Sequence, residues 1–237
     1  MKERKLPNLN SYSKSVLIGT LVGDASILER NNRHQIKWEQ KEASKDYVYH
    51  IQKIFQPWIN KTEPRLRRIK ASIDKEGRQW KQRNSYVCRT LTPAFSTIWD
   101  FYANQFYVKK PGDKKRTKVV PKLIHRWLDP VALAYWYMDD GHLHNTKKSV
   151  WLHTQNFSLT ENRILQQALG RSFGFKVSIH KDNRKNKTLY YLYICAESRN
   201  DFFRIVSPYM HPNFEYKLPK EYVFIGPRRR EWYGFCK

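Results

Sequence analysis

The feature that most constrains the fold is a short apolar segment that ends in two acids. The segment from Leu133 to Gly141 reads LAYWYMDDG, and Asp129 and Pro130 precede it. An Asp acceptor followed by a Pro is typical of a helix start, and a Gly is typical of a helix end. The C-terminus of a helix carries partial negative charge, so acids are disfavoured there. We therefore expect a positive group near these two aspartates; the alternative is a solvated turn whose acids have no role.

The amino-acid composition indicates a partner that is a polyanion. The 237 residues include 45 Lys and Arg against 21 Asp and Glu, which gives a formal charge of +24. Such an excess attracts phosphate backbones and gains free energy from counterion release. Nucleic acid is the expected partner, and an anionic membrane surface is the alternative.

Several other classes of protein are disfavoured by the sequence. No apolar run is long enough to span a bilayer, and the first residues lack the apolar stretch of a signal peptide. The three cysteines are far apart and form no paired pattern, which disfavours a disulfide framework or a structural zinc site. We expect an intracellular protein without membrane association.

A second apolar segment also ends in an acid. Residues 16–25 read VLIGTLVGDA after a polar arm at 1–13, so Asp24 stands at the end of a predicted helix. Gly19 and Gly23 are four positions apart and share one face of that helix. Because glycine has no side chain, this face would allow a partner helix to approach closely.

The order of predicted elements repeats along the chain. Each half reads as helix, strands, helix, strands and helix, which indicates an α+β fold of two similar subdomains, residues 1–128 and 129–237. Gln40 follows Asp24 by 16 positions and Gln155 follows Asp140 by 15; KVVPK at 118–122 has a counterpart in KLPK at 217–220. A pseudo-twofold protein suits a duplex, whose strands are related by a dyad. The other helices are predicted at 47–58, 92–107, 160–173 and 200–209. Two strands are predicted within 26–40, around a turn at Asn31 and Asn32, and further strands at 65–73, 80–90, 149–155, 175–180 and 189–196.

The two acid-ended segments identify a resemblance. LIGTLVGDA at 17–25 and LAYWYMDDG at 133–141 resemble two copies of the LAGLIDADG motif, with departures at Val22 and Ala25 in the first copy. Over residues 15–225 the chain resembles a single-chain, two-repeat LAGLIDADG homing endonuclease of the intron-encoded organellar type. The resemblance implies two αββαββα subdomains with mixed or antiparallel sheets that form a DNA-binding saddle, and motif helices packed at the centre. It also implies a monomer in a mitochondrion or chloroplast that makes a double-strand break in a long asymmetric DNA target and leaves 3′ overhangs.

The same resemblance implies a magnesium-dependent centre. Asp24 and Asp140 are expected to bind Mg²⁺, for which Mn²⁺ could substitute, with Gly23 and Asp139 supplying carbonyl oxygens. The Asp139 side chain is expected about 100° away around the helix, as a packing acid. Four further residues are expected to act in catalysis, as water-polarising or water-ordering groups: Lys118, Lys217, Gln40 and Gln155. The alternatives are ordinary phosphate contacts for the lysines and ordinary strand-end residues for the glutamines.

Basic side chains on the predicted strands are candidates for DNA contacts. They are Arg30, Arg33, Lys37, Arg65, Arg67, Lys81, Arg83, Lys147, Lys148, Lys176, His180 and Arg184. Which of them contact bases stays open, because strand register decides which side chains are exposed. Most tryptophans and tyrosines are assigned to the core, His142 and His144 to a DNA-facing or solvent-facing turn in preference to a metal site, and the basic tail at 228–237 to phosphate contacts.

A second function shares this scaffold. An RNA-binding intron maturase without nuclease activity would have the same charge and the same motif helices. The presence of both Asp24 and Asp140 favours the enzyme.

Overall fold

The computed structural model describes residues 7–30, 33–74, 77–91, 98–109, 111–113, 115–144, 149–184 and 187–223. The helices are α1 (Ser11–Val22), α2 (Lys45–Ile54), α3 (Ile98–Phe106), α4 (Pro130–Asp140), α5 (Leu159–Phe173) and α6 (Ala196–Val206). The strands are β1 (Ser26–Arg30), β2 (Arg33–Lys41), β3 (Arg65–Ile69), β4 (Ser72–Ile73), β5 (Gln79–Trp80), β6 (Arg83–Arg89), β7 (Tyr107–Val108), β8 (Thr117–Lys118), β9 (Gly141–Leu143), β10 (Val150–Leu152), β11 (Val177–Arg184) and β12 (Lys187–Ile194).

The described chain divides into two compact units. The first contains Ala25–Asp100, and the second contains Leu9–Asp24 together with 101–223. Helix α1 therefore belongs to the same unit as α4, although the two helices come from different sequence repeats. The predicted boundary between residues 128 and 129 separates the two sequence repeats rather than these compact units, and it stays a prediction. None of the described helices has the length and apolar character needed to cross a membrane.

The first unit contains an antiparallel sheet with the strand order β1-β2-β6-β3. One face is buried, with Ile36 and Cys88 inaccessible and Trp38 stacked on Phe55 at 4.6 Å between ring centroids. Burial raises the pKa of the Cys88 thiol to about 12, in keeping with a packing role. The strand predicted at 65–73 is wrong in its length. It breaks after Ile69, which pairs with the first residue of β6, and β4 pairs instead with β5.

The second unit contains an antiparallel sheet with the order β11-β12-β10-β9. Strand β9 was absent from the sequence prediction because its three residues follow α4 without a turn signal. Helix α1 begins five residues earlier than its apolar run, since Asn10 caps it by accepting a hydrogen bond from Ser13 N–H at 2.7 Å. Helix α6 likewise begins at Ala196 rather than 200.

Helices α1 and α4 pack directly against each other. A Cβ added to Gly19 would lie 2.2 Å from the carbonyl oxygen of Ala132, and one added to Gly23 would lie 2.6 Å from the Asp139 Cβ. The predicted close approach through these two glycines is therefore confirmed. Gly141 ends α4 as predicted, but in an extended conformation (φ −77°). A Cβ there would meet the Tyr137 ring at 1.9 Å, so glycine is required for space.

Candidate active site

Three aspartates meet where α1 and α4 end. Asp24 follows Gly23, the residue that caps α1, while Asp139 and Asp140 are the last residues of α4. The backbone N–H of Asp24 donates to Asp139 Oδ2 at 3.1 Å. The Asp139 side chain therefore crosses to the neighbouring helix, into the space that Gly23 leaves by lacking a Cβ. The structure places Asp139 as a packing acid that fixes the backbone beside Asp24.

A lysine lies at each of these helix ends. Lys118 Nζ donates to the Gly23 carbonyl at 2.6 Å, and Lys217 Nζ donates to the Met138 carbonyl at 2.5 Å, with the Tyr137 and Asp139 carbonyls each at 3.4 Å. Lys217 is 8% exposed. The last carbonyls of a helix lack partners within the helix and carry its negative end charge. The two ammonium groups supply the positive charge that was expected at these ends.

Contacts between elements fix both lysines. Lys118 ends β8, where it is paired with Tyr107 of β7. Lys217 ends the short 3-10 turn Pro212–Lys217, and its backbone carbonyl accepts the Tyr137 hydroxyl at 2.6 Å. The lysines are 95 and 79 residues away from the carbonyls that they bind most closely. Tertiary packing brings them to the helix ends.

The electrostatics of this cluster are governed by burial and by like charges. Burial, followed by the Asp24 charge, raises the pKa of Asp140 to about 7, and Lys118 and Lys217 oppose this rise. The pKa of Asp139 is held well above its usual range by burial and by the charges of Asp24 and Asp140. Burial lowers the pKa of Lys118, and the three aspartates oppose this change. The Asp24 side chain is exposed and those of Asp139 and Asp140 are half-buried, so like charges gather at a centre whose charge a divalent cation would reduce.

The donor atoms fit a hard cation. Carboxylate and carbonyl oxygens are the ligands that Mg²⁺ prefers, and Mg²⁺ commonly completes its shell with water and substrate phosphates. Among the described residues, no three His, Cys, Asp or Glu side chains converge to form a complete metal cage. His142 and His144 lie beside Trp151, at 6.0 and 5.9 Å between ring centroids.

The two predicted glutamines are placed differently. Gln155 Nε2 lies 3.2 Å from His153 Nδ1, and the His153 backbone N–H donates to the Asp140 carbonyl at 2.9 Å. Gln155 is therefore linked to the acid cluster through one residue. Gln40 belongs to the other unit, paired with Tyr86 on the same side of β2 as the buried Trp38.

The open face of the first sheet is strongly basic. Strand register places Arg33, Lys37, Arg65, Arg67 and Arg83 on the face opposite Trp38 and Ile36. Lys81 is exposed in the link between β5 and β6. Sequence reasoning missed Lys41, Arg89 and one acid, Glu39, on this same face, because alternation along β2 and β6 becomes informative only once the register is known. The side chains of Arg30 and Arg184, residues Lys147 and Lys148, and the tail at 228–237 lie outside the described residues.

The open face of the second sheet is aromatic. Trp151 lies 5.2 Å from Tyr191, and His180 lies 5.5 Å from Tyr191 and 5.2 Å from Tyr193, as measured between ring centroids. Trp151, Tyr191 and Tyr193 are exceptions to the expected assignment of most aromatic residues to the core: they are half-buried and occupy strand positions opposite the buried face. Lys176 precedes β11 and pairs with Glu197 of α6 at 2.8 Å, so it lies off this face.

Comparison with known proteins agrees with this architecture. "Probable intron-encoded endonuclease 1" of Wickerhamomyces canadensis is 30% identical over 223 residues, covering 91% of this chain and 87% of its own length. "Cytochrome b mRNA maturase bI2" of Saccharomyces cerevisiae is 28% identical over 214 residues, covering 89% of this chain but 48% of its own length. The chain thus spans about half of that maturase.

A solved structure shares the fold. The homing endonuclease I-WcaI bound to its DNA recognition sequence superposes with a TM-score of 0.71 and 26% identity, covering 93% of this chain and 89% of that one. The predicted α+β class, with two four-stranded antiparallel sheets and flanking helices, is confirmed. Residues 14–202 match the sequence model of the LAGLIDADG DNA endonuclease family. Because this match covers most of the chain and includes both motif helices with their terminal acids, the chain belongs to the LAGLIDADG DNA endonuclease family.

Proposed function

We propose that this chain is a site-specific homing endonuclease that makes a metal-dependent double-strand break in a long, asymmetric DNA target and leaves 3′ overhangs. One observation carries the proposal: the acid-ended termini of both motif helices lie side by side, joined by the hydrogen bond from Asp24 N–H to Asp139 Oδ2, and each helix end is held by its own lysine. Two similar half-centres suit the hydrolysis of one phosphodiester bond in each strand.

Asp24 and Asp140 would hold Mg²⁺, for which Mn²⁺ could substitute, with the carbonyls of Gly23 and Asp139 as further oxygen donors. When bound, the cation would activate water and stabilise the charge that develops on the departing 3′ oxygen. Asp139 keeps the Asp24 backbone in place through the 3.1 Å hydrogen bond. The rise in the pKa of Asp140 to about 7 marks a carboxylate that gains from a nearby positive charge.

The lysines and the glutamines would act on the phosphate and on water. Lys118 and Lys217 place ammonium groups beside the acid cluster, where positive charge stabilises a phosphorane-like transition state. Gln155, joined to Asp140 through His153, would help to order the attacking water. We propose the same role for Gln40 in the other half.

We propose that double-stranded DNA lies against the open faces of the two sheets. The basic face of the first sheet would neutralise backbone phosphates, and the histidine and tyrosine side chains of the second would contribute neutral hydrogen-bonding groups to base edges. The chain would act as a monomer, because both motif helices lie in one polypeptide and pair with each other. We propose that the chain acts inside the cell, in a mitochondrion or chloroplast, and its similarity to intron-encoded proteins supports this.

The test uses a plasmid that carries the host-gene junction without the intron. We expect linearisation by the full chain in Mg²⁺ and none in EDTA, with the cut ends mapped by sequencing. Asp24→Asn and Asp140→Asn should each abolish double-strand cleavage while binding in EDTA is retained. Asp201→Asn, an exposed acid of α6 paired with Arg204, is the matched control and should cut normally. Binding without any Mg²⁺-dependent cut would overturn the nuclease proposal.

An RNA-splicing maturase is the second candidate. It is favoured by the 28% identity to a cytochrome b mRNA maturase over 89% of this chain. Binding of the intron transcript can be measured beside binding of the DNA junction, by gel shift with the same protein preparation. Tighter binding of the transcript, together with accelerated splicing and no DNA cleavage, would favour the maturase.

A further inference from the structure

Glu39 is an acid at the centre of a basic surface. It lies on β2, paired with Val87 on the open face of the first sheet. Among the described residues that strand register places on that face, Glu39 is the only acid, surrounded by seven Lys and Arg side chains: Arg33, Lys37, Lys41, Arg65, Arg67, Arg83 and Arg89. A lone carboxylate repels the phosphate backbone that this face would bind, so its presence requires a physical reason.

Both carboxylate oxygens of Glu39 are fully engaged. Oε1 accepts the Ser85 hydroxyl at 2.6 Å and Arg67 Nη1 at 3.0 Å, while Oε2 accepts Lys37 Nζ at 2.9 Å and Arg67 Nη1 at 3.1 Å. The Glu39 side chain is 17% exposed and that of Lys37 is 21% exposed. These hydrogen bonds and charges hold the pKa of Glu39 below its usual value against the opposing effect of burial. The carboxylate is therefore charged at neutral pH and binds two cations of the face.

Arg67 is held at one end and exposed at the other. Its Nη1 group binds Glu39, while its side chain is 54% exposed. A guanidinium has five N–H donors in a rigid plane, so anchoring of Nη1 to Glu39 restricts the directions in which the remaining donors can point. A fixed pair of donors matches the O6 and N7 acceptors of guanine in the major groove. Arg83 of the same face instead lies over the Trp80 ring, 5.5 Å from its centroid, and an arginine that no carboxylate holds would more readily follow a phosphate.

We propose that Glu39 is a positioning residue that makes Arg67 and Lys37 readers of base edges and leaves Arg33, Arg65, Arg83 and Arg89 to hold phosphates. This inference rests on the proposed binding of double-stranded DNA by the first sheet. Neutralisation by Glu39 reduces the counterion release that Arg67 and Lys37 could gain from phosphates. Restriction of the Arg67 rotamer lowers the entropy lost when it binds a base. On this face Arg67 and Lys37 would thereby provide sequence specificity, and the other arginines would provide affinity for the DNA backbone.

The experiment measures two quantities for each variant of the full chain in EDTA. The first is the dependence of affinity on KCl concentration for a short duplex of arbitrary sequence, by fluorescence anisotropy. The second is base preference, by sequencing the fraction bound from a pool of random duplexes. The variants are Glu39→Gln, which keeps the shape of the side chain, Arg67→Ala, and Arg83→Ala as the matched control on the same face. Thermal unfolding confirms that each variant is folded.

The three variants should differ in the salt dependence of DNA affinity and in base preference. Glu39→Gln should steepen the salt dependence by about one to two phosphate contacts, because two cations lose their carboxylate, and should flatten base preference at one short block of the target. Arg67→Ala should lower discrimination in that same block about tenfold with little change in the salt dependence. Arg83→Ala should reduce the salt dependence by about one contact with the preference unchanged.

The outcomes also separate this inference from the nuclease proposal. Unchanged base preference in Glu39→Gln, or identical behaviour of Arg67→Ala and Arg83→Ala, would overturn the positioning role. A wild-type chain that enriches no sequence would overturn base reading by this face. If the chain enriches a sequence and the variants change base preference as expected, but the chain never cuts DNA, only the nuclease proposal is refuted.

Discussion

Replacement of Gly19 by Ala tests the central packing of the molecule. Gly19 lies in α1, and an added Cβ would be 2.2 Å from the Ala132 carbonyl oxygen, 2.9 Å from its carbonyl carbon and 2.9 Å from Tyr135 Cβ. Contacts of a Cβ shorter than 3.0 Å essentially never occur, and the first two of these atoms are backbone, so no side chain can rotate away. The two helices would have to separate by roughly 1 Å, which loosens a close-packed interface.

The expected magnitude follows from two opposing terms. Alanine favours a helix over glycine by about 1 kcal/mol, while overpacking of a rigid core costs about 1–3 kcal/mol and occasionally more. Here α1 and α4 are both fully buried along the contact, so we expect the upper part of that range and a net loss of about 2 kcal/mol. For a chain of this size the loss lowers Tm by about 4–8 °C.

The assay is thermal unfolding followed by circular dichroism, with Gly170→Ala as the matched control. Gly170 is also a helical glycine, in α5, but the nearest atom to its added Cβ is the Phe175 carbonyl oxygen at 3.7 Å. This substitution should stabilise the chain by up to about 1 kcal/mol, because only the helix propensity changes. Two variants of identical chemistry should thus shift Tm in opposite directions. If Gly19→Ala is as stable as the wild type, the close approach of the two helices is refuted.

Three further predictions concern single residues. Because the folded chain retains a proton on Asp140 up to about pH 7 that an unfolded chain releases near pH 4, the contribution of Asp140 to stability is full at acid pH and is lost as pH rises through 7. In EDTA, Asp140→Asn should therefore match the wild type in unfolding free energy near pH 4 and exceed it near pH 8 by roughly 2–4 kcal/mol, as measured by thermal unfolding; the same difference between the two proteins at both pH values would contradict this. Lys118→Met should slow Mg²⁺-dependent cleavage by about 100-fold or more with nearly unchanged DNA binding, as measured by single-turnover kinetics, and a normal rate would remove Lys118 from catalysis. Ser158→Ala removes one half of the capping box formed with Glu161 at the start of α5 and should cost about 1 kcal/mol in urea unfolding; no loss would show that the cap is not stabilising.

Local patterns identified the elements that carry the chemistry. Apolar runs that end in Asp24 and in Asp140 predicted two motif helices. A buried helix requires apolar side chains, and residues such as Pro130 and Gly141 are typical of the start and the end of a helix. The glycines at 19 and 23 predicted the contact between the two helices, because closely approaching backbones leave no room for a Cβ. The excess of basic residues predicted a polyanionic partner, since net charge is a property of composition alone.

Short or irregular elements were less accessible to prediction. The three residues of β9 carry no periodic signal, and the break between β3 and β4 depends on where β6 begins. Such elements exist because a neighbouring strand supplies their hydrogen bonds. A sequence window contains no information about a partner that lies many residues away.

The sequence by itself determined that two acid-ended helices occur in one strongly basic α+β chain of the LAGLIDADG family. The resemblance pointed to Lys118 and Lys217, but only the tertiary structure decided what they bind: their ammonium groups reach helix carbonyls 95 and 79 residues away. It also decided that Glu39 lies among the cations of the open face, and that Trp151 and Tyr191 are half-buried on the open face of the second sheet. The physical reason is that helix formation and net charge depend on neighbouring residues and composition, whereas strand register and side-chain contacts depend on the packing of distant segments.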